Sequence, residues 1–174
     1  MKAAILYFSK LFLILTVAYG GFQFLTLYFF GGNQQLHYPL LSGLGLGLIL
    51  AFVFTFSQIA AVKKLHPGKL TSEALSMHQV THMQVPLTKA QILEKLQSNY
   101  PTKDWELTEE SDLIKLKTSF TAKTFGEKIT IKVNKLQNGL SEVFVESKPK
   151  TWFTLVDYGK NLKNIIYLRN LLSA

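Results

Sequence analysis

The residues with the most chemical potential lie in T-L-V-D-Y-G-K-N-L-K-N-I-I-Y-L, residues 154–168, where Asp157, Tyr158, Lys160 and Asn161 surround Gly159. A carboxylate, a phenol and an ammonium so close together invite a catalytic reading. The spacing does not support one. A phosphate-cradling loop needs G-x-x-x-x-G-K-[ST], but Thr154 stands at its first glycine and Asn161 at its final hydroxyl. The chain has no G-x-S-x-G and no cysteine, so neither a serine elbow nor a thiol nucleophile is available. Two readings remain. The N-terminus of a helix, with Ser147, Lys148, Lys150 and Lys160 nearby, would attract an anion such as a lipid headgroup. Alternatively the stretch is a helix start that packs well. A helix beginning near Thr154 puts Leu155, Tyr158, Gly159, Leu162, Ile165, Ile166 and Leu172 on one face and turns Lys160, Asn161, Lys163 and Asn164 to water. A glycine inside a helix costs about 1 kcal/mol relative to alanine, so close approach to a neighbouring layer is its expected reason. If Asn161 is the N-cap instead, Gly159 belongs to the turn before it.

Other groupings carry less. His78 and His82 would form a metal pair at i, i+4 on a helix, but on a strand they lie roughly 13 Å apart, and no acid sits between them. Glu109, Glu110 and Asp112 lack the alternating ligands and glycine of a calcium loop and read as a solvated turn. Asn134-Lys135 opens like a guanine-reading N-K-x-D, yet Gln137 stands where the Asp belongs. Gly43-Leu-Gly45-Leu-Gly47 has G-x-G-x-G spacing with no preceding strand and no acid before Glu73, which excludes a dinucleotide fingerprint. No metal or cofactor is expected, and the chain is read as a non-enzyme.

The elements that must position these residues fall into two unlike parts. Residues 11–62 contain no Lys, Arg, Asp or Glu, whereas all 11 acidic and 17 of the 19 basic residues follow from Lys63, leaving that part at 17 − 11 = +6. A solvent face without charge implies a lipid solvent. Residues 11–30 form an apolar run that, at ~1.5 Å per residue, spans roughly 30 Å, the thickness of a hydrocarbon core. A second run covers 40–62, and G-G-N-Q-Q-L-H-Y-P between them reverses the chain. Ala18-Tyr19-Gly20 has the small-x-small form of a cleavage site, but the apolar run continues through Phe30 and a second span follows. Two transmembrane helices are therefore expected. Lys2 and Lys10 precede the first, Lys63, Lys64 and Lys69 follow the second, and the connection has no Lys or Arg. The positive-inside rule puts both termini in the cytoplasm of a bacterial-type inner membrane protein.

Within the hairpin, Gly43, Gly47 and Ala51 recur every fourth residue and make a small-residue stripe for close helix approach. The first span, with Ala18, Gly20 and Gly21, is the natural partner; a second copy of the chain, giving a homodimer, is the rival. Gln23, Thr55, Ser57 and Gln58 are polar but not ionisable, so no proton or ion path is indicated.

His66-Pro67-Gly68 starts a linker, and residues 70–174 read as an α+β domain. Leu75, Met77, Thr81, Met83 and Val85 alternate as a strand from about residue 73, and Pro86 stops it. Thr88 with Gln91 predicts a capping box over a helix carrying Ile92, Leu93 and Leu96, which Asn99-Tyr100-Pro101 ends. Four strands follow: Trp105 and Leu107; Ile114, Leu116, Thr118 and Phe120; Ile129, Ile131 and Val133; then, after the Asn138-Gly139 hairpin turn, Val143 and Val145 up to Pro149. One-face alternation argues for an antiparallel sheet with one buried side. The order β-α-β-β-β-β-α resembles a reduced helix-grip arrangement, in which a curved sheet wraps a long C-terminal helix. Arg169 is the single arginine, which disfavours nucleic acid as a partner, whereas excess lysine suits a domain beside anionic lipid. A non-enzymatic binding or scaffold module at the membrane surface is the first expectation; a carrier or sensor of an apolar ligand held between sheet and last helix is the second.

Overall fold

The computed structural model describes residues 2–30, 37–99, 105–111, 113–121, 124–136 and 139–174. Most of the expected inter-helix connection, Tyr100-Pro101, Asp112, Gln137 and Asn138 of the Asn-Gly turn lie outside the described residues. The chain divides into two compact units, Met1–Leu75 and Ser76–Ala174.

Unit 1 is built on helices α1 (Lys2–Phe30) and α2 (His37–Leu65), each longer than the apolar run that predicts it. Both are long and apolar enough to cross a membrane by length and composition. Pro39 sits in the first turn of α2, where its missing N–H costs no helical bond. The inward side of α2 is one seam, Pro39, Gly43, Gly47, Ala51, Thr55, Gln58 and Val62. The outer surface of the pair is apolar, with Leu6, Leu13, Val17, Phe22, Phe52 and Phe56 all exposed. A single helical turn, α3 (Ser72–Leu75), follows. Strand geometry from residue 73 is therefore not what forms: Thr71 Oγ1 accepts from the Ala74 N–H at 3.1 Å and starts a turn that buries Ala74 and Leu75.

Unit 2 is a five-stranded antiparallel sheet in the order β1-β5-β4-β3-β2, with helices α4 and α5. Its strands are β1 (Gln79–Val85), β2 (Glu106–Glu109), β3 (Leu113–Lys117), β4 (Glu127–Lys135) and β5 (Ser141–Pro149). Along the chain these elements follow the expected β-α-β-β-β-β-α order. Pairing sets Ile114 opposite Ile131 and Ile131 opposite Val145, and Leu116 opposite Ile129. Those residues, with Val85 and Val143, make the buried face. Helix α4 (Lys89–Ser98) adds Ile92 and Leu96, its start held by the reciprocal Thr88–Gln91 capping box. Helix α5 (Lys160–Ser173) adds Ile165, Leu168 and Leu172. At about 1.5–3 kcal/mol for each large apolar side chain buried, those three residues supply much of what holds α5 to the sheet. The apolar face of α5 is turned from the one expected: Leu162 and Ile166 are only half-buried, while Asn161 and Asn164 are inside. The strand expected to run through Phe120 ends at Lys117, and Phe120 is exposed.

Candidate functional site

Asn161 and Asn164 are tolerated inside because the residues around them answer every turn of the local chain. Ser147 alternates with Val145 and so points to the covered face of β5, where it is fully buried opposite Ile129. Its Oγ donates to Asn161 Oδ1 at 2.7 Å and accepts from Asn164 Nδ2 at 3.2 Å. Asn161 Nδ2 in turn donates to Asp157 Oδ2 at 2.8 Å. The Asp157 carboxylate also accepts from the backbone N–H of Asn161 at 2.9 Å and of Gly159 at 3.1 Å. To bend the chain back over its own carboxylate, Tyr158 and Gly159 both take left-handed backbone, φ 52° and 69°. Gly159 is thus the N-cap position, outside the helix interior, and its reason is backbone conformation. Chemically the cluster is a closed clamp. Among the described residues the Ser147 hydroxyl bonds two side-chain amides, an arrangement that orders the helix start.

The same geometry bears on anion binding at this helix start. Asp157 already supplies the first-turn N–H groups with an anion of the chain's own. Lys160 is the first residue of α5, Lys148 alternates to the open face of the sheet and pairs with Glu146 at 3.1 Å, and the Lys150 N–H donates to Gly126 O at 2.9 Å. The structure brings all three lysines to one end of unit 2 but spreads them over opposite faces of the sheet.

At that end lies a feature that strand periodicity concealed. Phe120 and Phe125 flank the isolated Thr121–Thr124 bridge after β3, and Trp152 and Phe153 follow β5. The four rings form a chain: Phe120–Phe125 centroids are 5.7 Å apart, Phe125–Phe153 5.4 Å and Trp152–Phe153 5.9 Å. All four are exposed, Phe120 at 69% and Trp152 at 94%. Beneath them Lys117 stands opposite Lys128, and Lys128 opposite Lys148. The base of the turn is fixed from inside. Thr118 Oγ1 donates to the buried Glu127 carboxylate and accepts from the Glu127 N–H at 2.8 Å, while Gly126 at φ 87° leaves no room for a side chain against Thr118 O. The sequence signal was available: two pairs of aromatics in turn positions, F-T-A-K-T-F and W-F, each beside lysines.

The remaining candidates are structural. A Cβ on Gly47 would collide with Thr16 Oγ1, and one on Gly43 would meet Thr16 O and Gly20 Cα at 3.0 Å, so the small-residue stripe, Ala51 included, lies in the α1–α2 seam. Gly20 shares that contact, whereas Gly21 has open space and Ala18 is exposed. Gln23 bonds Tyr19 at 2.9 Å within α1, and Gln58 Nε2 donates to Leu75 O at 3.4 Å. His78 meets Glu146 at 2.7 Å, and the His82 ring stands edge-on to Phe144 with centroids 4.7 Å apart. Glu109 and Glu110 are ion-paired, to Lys89 at 2.8 Å and Lys115 at 2.5 Å. The chain matches no protein-family model, no curated protein and no solved structure.

Proposed function

We propose that the chain is a membrane-anchored, non-enzymatic binding or scaffold module that works at the cytoplasmic surface of an inner membrane. In this reading α1 and α2 are a multi-pass hairpin, both termini lie in the cytoplasm, and unit 2 presents a binding surface held beside the lipid. The observation that carries it is the division of labour in unit 1: small residues fill the α1–α2 seam while bulky apolar side chains face outward. That is the pattern of helices solvated by hydrocarbon. Lysines cluster toward the outer ends of the two helices, at Lys2 and Lys10 and at Lys63 and Lys64, and avoid their connection.

Unit 2 is read as a reduced helix-grip. In a carrier of that design the space between sheet and last helix holds a ligand. Here Ile129, Ile131, Val143 and Val145 of the sheet share one core with Ile165, Leu168 and Leu172 of α5, and the polar clamp is engaged with itself. This favours a surface module over the rival reading, a carrier or sensor of an apolar ligand. Anionic headgroups are the proposed first contact, and nucleic acid is not a proposed partner. A homodimer through the second span is a further proposal; the packing of the Gly43-Gly47-Ala51 stripe against α1 favours another face of α2 for it.

The test is extraction of native membranes at alkaline pH, followed by crosslinking in those that retain the protein. The reading requires retention in the membrane and capture of protein partners or lipid. Release into the soluble fraction would overturn it, and a tightly bound apolar ligand recovered from unit 2 would favour the carrier.

A further inference from the structure

We infer that the aromatic end of unit 2 is a bilayer-docking tip: Phe120, Phe125, Trp152 and Phe153 enter the interface of an anionic leaflet while Lys128 and Lys150 bind its headgroups. The inference rests on the membrane-anchored reading and adds which surface of unit 2 meets the lipid.

Three independent observations converge. The first is the patch itself. A tryptophan left 94% exposed, joined ring to ring with three phenylalanines, is a contiguous apolar surface of a kind that marks an interaction site. Amphipathic aromatic rings are the side chains that favour the membrane–water interface.

The second is charge. The register sets Lys117, Lys128 and Lys148 side by side across three strands, and like charges directly opposite one another destabilise a sheet. Lys117 is offset by Glu106 at 3.2 Å and Lys148 by Glu146 at 3.1 Å. Lys128 and Lys150 have no ion pair among the described residues. An anionic leaflet is the partner whose charge answers that row.

The third is connectivity. Gln79, the first residue of β1, pairs with Ser147, so the chain arriving from unit 1 joins the sheet at the same end as the tip. The opposite end of the sheet carries the ion-paired Glu109 and Glu110, so within unit 2 the aromatic, lysine-rich end and the acidic end are distinct. The Thr118–Glu127 pair and Gly126 hold the backbone beside Phe125 in place, which lowers the entropy lost on docking.

The full-length protein in lipid nanodiscs tests this through Trp152, using acyl chains brominated near the headgroup as a contact quencher. Discs of phosphatidylcholine alone are compared with an equimolar mixture of phosphatidylcholine and phosphatidylglycerol. Trp105 is the other tryptophan, and the Trp152→Phe variant gives its separate signal. In the mixed discs the Trp152 emission is expected to shift to the blue and lose most of its intensity to bromine. Lys128→Gln with Lys150→Gln is expected to reduce that loss to the level seen in phosphatidylcholine alone; all these side chains are exposed, so the fold survives the changes. A Trp152 signal that stays red and unquenched in both lipids overturns the docking tip while leaving the anchor intact. A blue shift without bromine quenching, found only in discs holding two copies or an added protein, assigns the patch to a protein partner and likewise overturns it. Failure of the protein to stay with the discs removes the anchor, and the tip falls with it.

Discussion

Gly159 sits where the backbone must pass through left-handed space to let Asp157 reach back over the first turn of α5. An L-residue there costs about 1–2 kcal/mol, so Gly159→Ala is expected to lower stability by that amount in thermal melting, with no overpacking needed to explain it. Asp157 is the centre of the clamp. Asp157→Ala removes a cap and leaves the buried Asn161 amide without its acceptor, an expected loss of about 2–4 kcal/mol, whereas Asp157→Asn keeps an acceptor and should lose less. Equal melting points for the two would show that the hydrogen bonds contribute nothing. Glu146 gives a pH-dependent expectation. Burial pushes its carboxyl up, but hydrogen bonds and charge from Lys148 and His78 outweigh this and leave it lowered. A lowered folded value means stability that is present above the ordinary carboxylate range and lost as pH falls through that folded value. Glu146→Gln should therefore melt below the parent at neutral pH, and the difference should close on acidification. Asn161 and Asn164 were illegible from sequence for a physical reason: hydrophobic periodicity treats an amide as a solvent residue, and it takes the distant Ser147, with Asp157 for Asn161, to make these two inside residues.

At the scale of elements, the strands were legible because one face is apolar on nearly every one of them, and the capping box located α4. Boundaries failed where a local bond competed with the pattern. Thr71 captured residues 72–75 into a helical turn, and the regular pairing of β3 ends at Lys117, beside the left-handed Gly126 that precedes β4, although Thr118 keeps the expected inward side. The α1–α2 seam offers a matched pair in one helix. A Cβ at Gly47 collides with Thr16, while one at Gly45 meets nothing within 4 Å. Gly47→Leu is expected to destabilise the pair by about 1–3 kcal/mol in detergent melting, and Gly45→Ala to change it by less than about 0.5 kcal/mol. Similar effects from both would remove the seam as the cause.

Across the whole molecule, the division into an uncharged half and a lysine-rich half was the clearest statement in the sequence, because charge absence over residues 11–62 has few physical explanations. The aromatic pairs of the docking end were visible in the sequence, but their joining into one patch was not, since Phe125 and Phe153 are distant in the chain and the sheet register brings them together. Everything proposed for unit 2 depends on the hairpin crossing the membrane with both termini on one side, and that can be read directly. The chain lacks cysteine, so Gln35→Cys in the connection and Ser173→Cys near the C-terminus give two clean labelling sites for an impermeant maleimide in sealed right-side-out membrane vesicles. The account predicts that Gln35→Cys reacts at once and Ser173→Cys only after the vesicles are opened. Labelling of both from outside, or of Ser173→Cys alone, would contradict it.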